Sequence, residues 1–254
     1  MKVNYLEKDK KRWDIRAEAG DRLKHFNVSQ GACSDGKVIY MAFEQKPKSG
    51  RKHRIKIVKI DLSEKRILKI SGALNLGHAN DLCIYRGELF ITHSGTKKVI
   101  HRVSPNSLQK LEDVSVKVPK KYKKTVTGFN GICVCGDWLA LRGLGGNKIL
   151  YLDRNFKVEK VVKFDKPFDG LDSQGMDFYD GYIYRAYSKM QSSSKNRICK
   201  FRPDGTLVSK SKADMTGELE SVFFHGGRMY GTVFRKKKKD GKMRYHDYIF
   251  KGAI

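Results

Sequence analysis

SQGMDFYDGYIY, from Ser173 to Tyr184, occurs four more times in weakened form. Aligned without gaps over twelve positions, it matches SQGACSDGKVIY (Ser29 to Tyr40), ANDLCIYRGELF (Ala79 to Phe90), FNGICVCGDWLA (Phe129 to Ala140) and LESVFFHGGRMY (Leu219 to Tyr230). The second position is polar in every copy: Gln30, Asn80, Asn130, Gln174 and Glu220. A small or short residue follows it (Gly31, Asp81, Gly131, Gly175, Ser221), then an apolar one (Ala32, Leu82, Ile132, Met176, Val222). The polar positions are separated by 50, 50, 44 and 46 residues. A weak repeat at such a period marks a chain built of stacked supersecondary units.

Each copy turns through Gly or Asp and resumes with an apolar residue, as a hairpin does. A further alternating segment follows each hairpin, around Ile57, Val99, Ile149, Ile198 and Ile249. In the first four copies a fourth segment comes next, around Ile67, Val114, Val161 and Leu207. Period-two alternation bounded by turn residues marks strands, and four strands per repeat make a blade. The fifth repeat stops after its third strand, whereas RWDIRAEA (Arg12 to Ala19) precedes the first repeat without a partner. An N-terminal strand over about residues 12–19 would complete the last blade, close the ring and remove open sheet edges. The expectation is all-β: residues 1–254 as a single five-bladed β-propeller domain, with four antiparallel strands per blade.

In such a ring the first strand of each blade lines the central channel. Gln30, Asn80, Asn130, Gln174 and Glu220 are therefore expected near one mouth, with His78, Asp172 and Glu218 just upstream on the rim. Two readings of that ring stand side by side. It is a ligand site, or its amides satisfy backbone groups and channel waters where five strands converge.

Charge is the extreme feature of the composition: 53 Lys and Arg against 27 Asp and Glu give a formal net charge of +26. Such a field attracts polyanions and says little about fold. The basic residues cluster in EQKPKSGRKH (Glu44 to His53), in SKMQSSSKN (Ser188 to Asn196), in VPKKYKKT with Lys120, Lys121, Lys123 and Lys124, and in FRKKKKDGKMRY with Arg235, Lys236, Lys237, Lys238 and Lys239. By the topology above, all of these project from the mouth face. The partner expected is an anionic polymer or surface: a teichoic acid, an acidic glycan or an anionic lipid. Nucleic acid ranks lower, because no known binding motif accompanies the charge. Clustered lysines act as point charges and suit loose contacts with steep salt dependence. No run approaches the roughly 18 apolar residues of a membrane span. The N-terminal residues lack the apolar stretch of a signal peptide, so the expectation is a cytosolic protein or a mature or leaderless extracellular one, and a monomer. Three of the five cysteines (Cys33, Cys83, Cys133) share one repeat position and read as small buried core residues.

For chemistry, the titratable groups expected at the mouth are His78, Asp81, Asp172, Asp177, Glu218 and Glu220. A carboxylate pair such as Asp172 and Glu220 would suit acid and base work on a glycan, and His78 beside carboxylates would suit a metal. Neither has diagnostic spacing, so Glu220, Asp172 and His78 stand as catalytic candidates, and no cofactor and no metal set is predicted. GLGGN (Gly143 to Asn147) is a turn between strands rather than a phosphate loop. The balance falls on binding rather than catalysis.

Two resemblances follow from these segments. DSQGMDFYDGYIYRAYSK with NRICKF, and GELESVFFHGGRMYGTVFRKK with HDYIF, resemble the C-terminal half of helveticin J-type bacteriocins, over about the last 85 residues from Asp172. That resemblance implies a β-propeller with antibacterial action at a cell envelope. The polar-Gly-apolar steps QGA at Gln30, NGI at Asn130 and QGM at Gln174 resemble those of five-bladed glutaminyl cyclases. This second resemblance implies an enzyme working on a peptide terminus at the channel mouth.

Overall fold

Period-two alternation becomes five four-stranded antiparallel sheets in a ring. The computed structural model describes residues 13–45, 53–93, 95–144, 147–189, 195–213, 215, 217–239 and 242–251. A short N-terminal strand, β1 (Trp13–Asp14), precedes the first blade, which holds β2 (Val28–Ser34), β3 (Ile39–Gln45), β4 (Arg54–Asp61) and β5 (Arg66–Ile70). The second has β6 (Leu82–Tyr85), β7 (Glu88–Thr92), β8 (Val99–Val103) and β9 (Val114–Ser115). The third has β10 (Phe129–Cys135), β11 (Trp138–Gly143), β12 (Lys148–Leu152) and β13 (Val158–Lys163). The fourth has β14 (Asp172–Tyr179), β15 (Tyr182–Ser188), β16 (Arg197–Phe201) and β17 (Leu207–Lys212). The fifth has β18 (Glu218–His225), β19 (Arg228–Lys239) and β20 (Lys242–Lys251), and β1 pairs with β20 as its outer strand.

The closing strand is shorter than residues 12–19. Among the described residues only Trp13 and Asp14 pair, with Ile249 and Tyr248. Asp14 then ends the strand, because its carboxylate accepts hydrogen bonds from Arg16 N at 3.1 Å and Ala17 N at 3.2 Å. It thereby caps a helix over Ile15–Ala19, which Gly20 terminates at φ +54°. The helix ties the ring shut. Ile15 and Ala19 are buried with Leu23 against the first blade, and Arg16 Nε donates to the buried Asp247 at 2.6 Å. The same carboxylate accepts from Ser29 N at 3.0 Å, so it joins the last blade to the first strand of the first.

The apolar faces pack between blades, not into one central core. Tyr40, Ile57, Leu82 and Ile91 form the layer between the first and second blades. Ile100, Phe129 and Leu150 do so between the second and third, and Tyr151, Phe164, Ile183 and Phe201 between the third and fourth. The innermost strands are left to face one another around the axis, and this positions the site.

Candidate functional site

Four of the five inner strands carry an irregularity at the same place in their pairing. It falls between Ser29 and Ala32, Phe129 and Gly131, Ser173 and Met176, and Leu219 and Ser221. A bulge bends its strand and re-aims a side chain, and the residues within these bulges are Gln30, Asn130, Gln174 and Glu220. Asn80 stands just ahead of β6. All five line one cavity of about 690 Å³ at the channel mouth, and so do His78, Asp172 and Glu218. The ring read from the repeat is thus a single lined space. Gln174 Nε2 donates to Ser188 Oγ at 2.9 Å and lies 3.4 Å from Glu218 Oε1. Asn80 Oδ1 and Asn130 Oδ1 accept no hydrogen bond from any described residue.

Two cavity residues, Arg142 and Arg185, were not singled out by the repeat. Both come from second strands and are buried. Arg142 donates to Ser173 O at 2.6 Å, and Arg185 donates to Asn147 Oδ1 at 3.0 Å and Ser173 Oγ at 3.1 Å. None of these acceptors is a carboxylate, and each Nε donates to no described residue. Burial, with Arg185 alongside, pulls the Arg142 guanidinium down to about 9, so it remains a cation at neutral pH. Gly131 was the available sequence signal: a Cβ there would stand 3.0 Å from Arg142 Cβ and 3.2 Å from its Nε, so the glycine makes room for the arginine. The cavity wall therefore has mixed charge: buried guanidinium groups come from the third and fourth blades, and its carboxylates are Asp172 on the fourth and Glu218 and Glu220 on the fifth.

Asp81 and Asp177 do not join the mouth. Asp81 is fully buried beneath it, where its Oδ2 accepts from Ile132 N at 2.9 Å and Met176 N at 3.0 Å. It is a cross-link between the third and fourth inner strands, and burial raises its carboxyl well above the ordinary range. The strands converge so tightly here that a Cβ on Gly31 would lie 2.4 Å from Asp81 Cα. Asp177 lies at the far end, lining a separate cavity of about 260 Å³ with Cys33, Cys83 and Phe224. All five cysteines are buried free thiols. Burial pushes Cys33, Cys83 and Cys133 up, which leaves them protonated and unreactive.

The basic clusters separate from the cavity. Lys120, Lys121, Lys123 and Lys124 are exposed around a 3₁₀ turn at Lys120–Tyr122, and none lines the cavity; Lys166 and Phe234 do. Strand β19 pairs with β18 only as far as Phe234, opposite Glu218. Beyond that, Arg235 to Lys239 continue with His246 to Lys242 as a two-stranded ribbon. Most of the basic connections in the first and fourth blades, 46–52 and 190–194, lie outside the described residues.

Fold and cavity together define a five-bladed propeller with a polar, mixed-charge cavity at one channel mouth. Solved structures of known proteins agree on the architecture. Glutaminyl cyclase from Myxococcus xanthus superposes with a TM-score of 0.62 over 100% of both chains at 12% identity. The BlXynB protein of glycoside hydrolase family 43 from Bacillus licheniformis gives 0.57 at 12% identity, covering 89% of this chain and 52% of that one. A luciferin-regenerating enzyme gives 0.50 at 12% identity over 95% and 94%. At these identities the likeness is one of fold. No protein-family model and no curated protein matches the chain, so the helveticin J resemblance finds no support there. No helix among the described residues is long and apolar enough to cross a membrane.

Proposed function

We propose that the mouth cavity binds a small ligand with an amino end and a carbonyl or anionic end, of the size of a peptide terminus, and acts on it with Glu220 moving the proton. The observation that carries this is the mixed-charge wall: Arg142 and Arg185, hydrogen-bonded to no carboxylate among the described residues, line the same space of about 690 Å³ as Glu218 and Glu220. Buried guanidinium groups favour a planar anion or carbonyl oxygen, and carboxylates favour an ammonium. The orphan acceptors of Asn80 and Asn130 supply further polar contacts. A volume of that order suits a metabolite-sized ligand.

The fold shared with a glutaminyl cyclase suggests the reaction. In cyclisation of an N-terminal glutamine, the α-amine attacks the γ-carbonyl carbon. The bond to the amide nitrogen breaks, and ammonia leaves with the proton taken from the amine. Glu220 would carry that proton, while Arg142 or Arg185 would hold the oxygen on which charge develops. The test is ammonia release from short peptides beginning with glutamine. Glu220→Gln is expected to lower turnover by about 100-fold or more with the melting temperature unchanged. Absence of release by the native chain, together with no thermal stabilisation by amino acids or such peptides, would overturn the reading.

A second reading concerns the ribbon, and a separate observation favours it. Lys237 stands opposite Arg244 across the two strands, which concentrates positive charge on one face of the ribbon. Arg235, Lys237, Arg244, His246 and Tyr248 share one concave face. Such a surface suits an anionic polymer such as a teichoic acid, and a helveticin-type antibacterial role would rest on it. Replacing Lys236, Lys237 and Lys238 by Gln is expected to lower the salt concentration that elutes the protein from heparin and to flatten the salt dependence. Unchanged elution sinks this reading and leaves the cavity reading untouched.

A further inference from the structure

We propose that Glu44, His53 and His78 form a binding site for a divalent transition-metal ion, Zn2+ foremost, at the edge of the channel mouth. The three residues come from separate parts of the chain: the end of β3, the residue before β4, and the connection between the first and second blades. Their ligand atoms nevertheless lie within 4.8 Å of one another. Both imidazoles turn Nδ1 toward the same carboxylate oxygen, Glu44 Oε1, His78 at 2.7 Å and His53 also in contact. The rings meet edge to face with centroids 5.9 Å apart.

The state of Glu44 distinguishes this group from an ordinary surface cluster. Its side chain is 1% exposed, and Oε2 accepts no hydrogen bond from any described residue. A buried carboxylate with an oxygen left over is costly unless a cation takes it up.

Two imidazole nitrogens and one carboxylate oxygen suit zinc and its neighbours in the first transition row rather than calcium or magnesium. Zinc bonds of about 2.0–2.2 Å would set the ligand atoms roughly 3.3 Å apart. That lies between the 2.7 Å contact and the 4.8 Å limit found here, so small side-chain rotations suffice. In the metal-free arrangement the imidazole protons bridge to Glu44, and the ion would replace them. Three protein ligands leave a coordination position open. His78 is 32% exposed and lines the main cavity, so the ion would be reachable from it.

A second histidine pair lies nearby: His101 Nε2 is 3.5 Å from His93 Nδ1, and His101 Nδ1 is 2.8 Å from Asp113. The experiment must separate the two groups. The full chain, dialysed against a chelator, is titrated with Zn2+ in competition with a chromogenic chelator and, separately, with Co2+ followed by visible absorbance. One equivalent is expected to bind with ligand-field bands of a nitrogen and oxygen set. Glu44→Gln and His53→Ala are expected to weaken binding by about 100-fold or more, while His101→Ala leaves it unchanged. His53, with its side chain 46% exposed, can be removed without disturbing the core, so an unchanged melting temperature for that variant excludes misfolding as the cause. No stoichiometric binding by the native chain, or equal affinity of the Glu44 and His53 variants, would overturn the assignment. No substrate enters this measurement, so its outcome is independent of the peptide-terminus reading.

Discussion

At the mouth of the channel the second position of each repeat presents Gln30, Asn80, Asn130, Gln174 and Glu220, whereas three residues further along the same strands the fifth position presents Cys33, Cys83, Cys133, Asp177 and Phe223. The upper ring opens onto about 690 Å³ walled by amides, guanidinium groups and carboxylates, several with unsatisfied atoms. The lower end encloses about 260 Å³ among thiols and aromatic rings. Both rings are dictated by the same convergence of strands. What separates them is composition: bulges in four of the strands turn polar side chains toward the mouth, and below it the same slot holds three thiols, an aromatic ring and a single carboxyl. The channel is therefore divided into a site and a plug, with Asp81 as the septum.

The septum offers the largest expected effect. Asp81→Ala would leave Ile132 N and Met176 N without their acceptor in a fully buried neck. The expected cost is roughly 2–6 kcal/mol in urea denaturation, since each of the two stranded donors is worth about 1–3 kcal/mol. Asp81→Asn keeps one acceptor oxygen for the two amides and removes a buried titratable group whose other oxygen accepts no hydrogen bond from described residues. It is expected to equal or exceed the native stability at neutral pH. If the alanine variant were as stable as the native chain, the division would not depend on this carboxylate.

Much of this architecture was legible in the chain because the repeat keeps register with the fold. Gln30, Asn80, Asn130, Gln174 and Glu220 occupy one slot in the sequence and one ring in space, and the blades follow from the alternation around Ile57, Val99, Ile149, Ile198 and Ile249. The parts that escaped are set by chemistry across blades. Asp81 fills a slot where the other copies have Gly or Ser, and its spacing alone put it at the mouth; only its hydrogen bonds to the third and fourth blades reveal the septum. Arg142 and Arg185 lie on second strands whose alternation reads as ordinary packing. Glu44, His53 and His78 come together through three connections, so no spacing announces them. The N-terminal strand was anticipated at the right place but too long, because Asp14 caps a helix there instead of extending the pairing.

Asp177 tests the lower half of the comparison, with a smaller effect. Its Oδ2 accepts from Phe224 N and its Oδ1 from Phe178 N, each at 2.8 Å. Burial outweighs those bonds and pushes the carboxyl up to about 6, against about 3.9 in an unfolded chain. Between those two values the native state holds a proton that the unfolded state has released, so this group makes stability fall as pH rises from about 4 to about 6. Paired carboxylates elsewhere pull the other way: Glu88, held down by Arg102, and Asp113, which burial raises but His101 and Lys110 lower further. The informative quantity is therefore the difference in melting temperature between the native chain and Asp177→Asn, measured from pH 4 to pH 7. That difference is expected to shift against the native chain up to about pH 6 and then level off. A flat difference would mean that folding does not raise the Asp177 carboxyl, its two backbone hydrogen bonds offsetting burial in full.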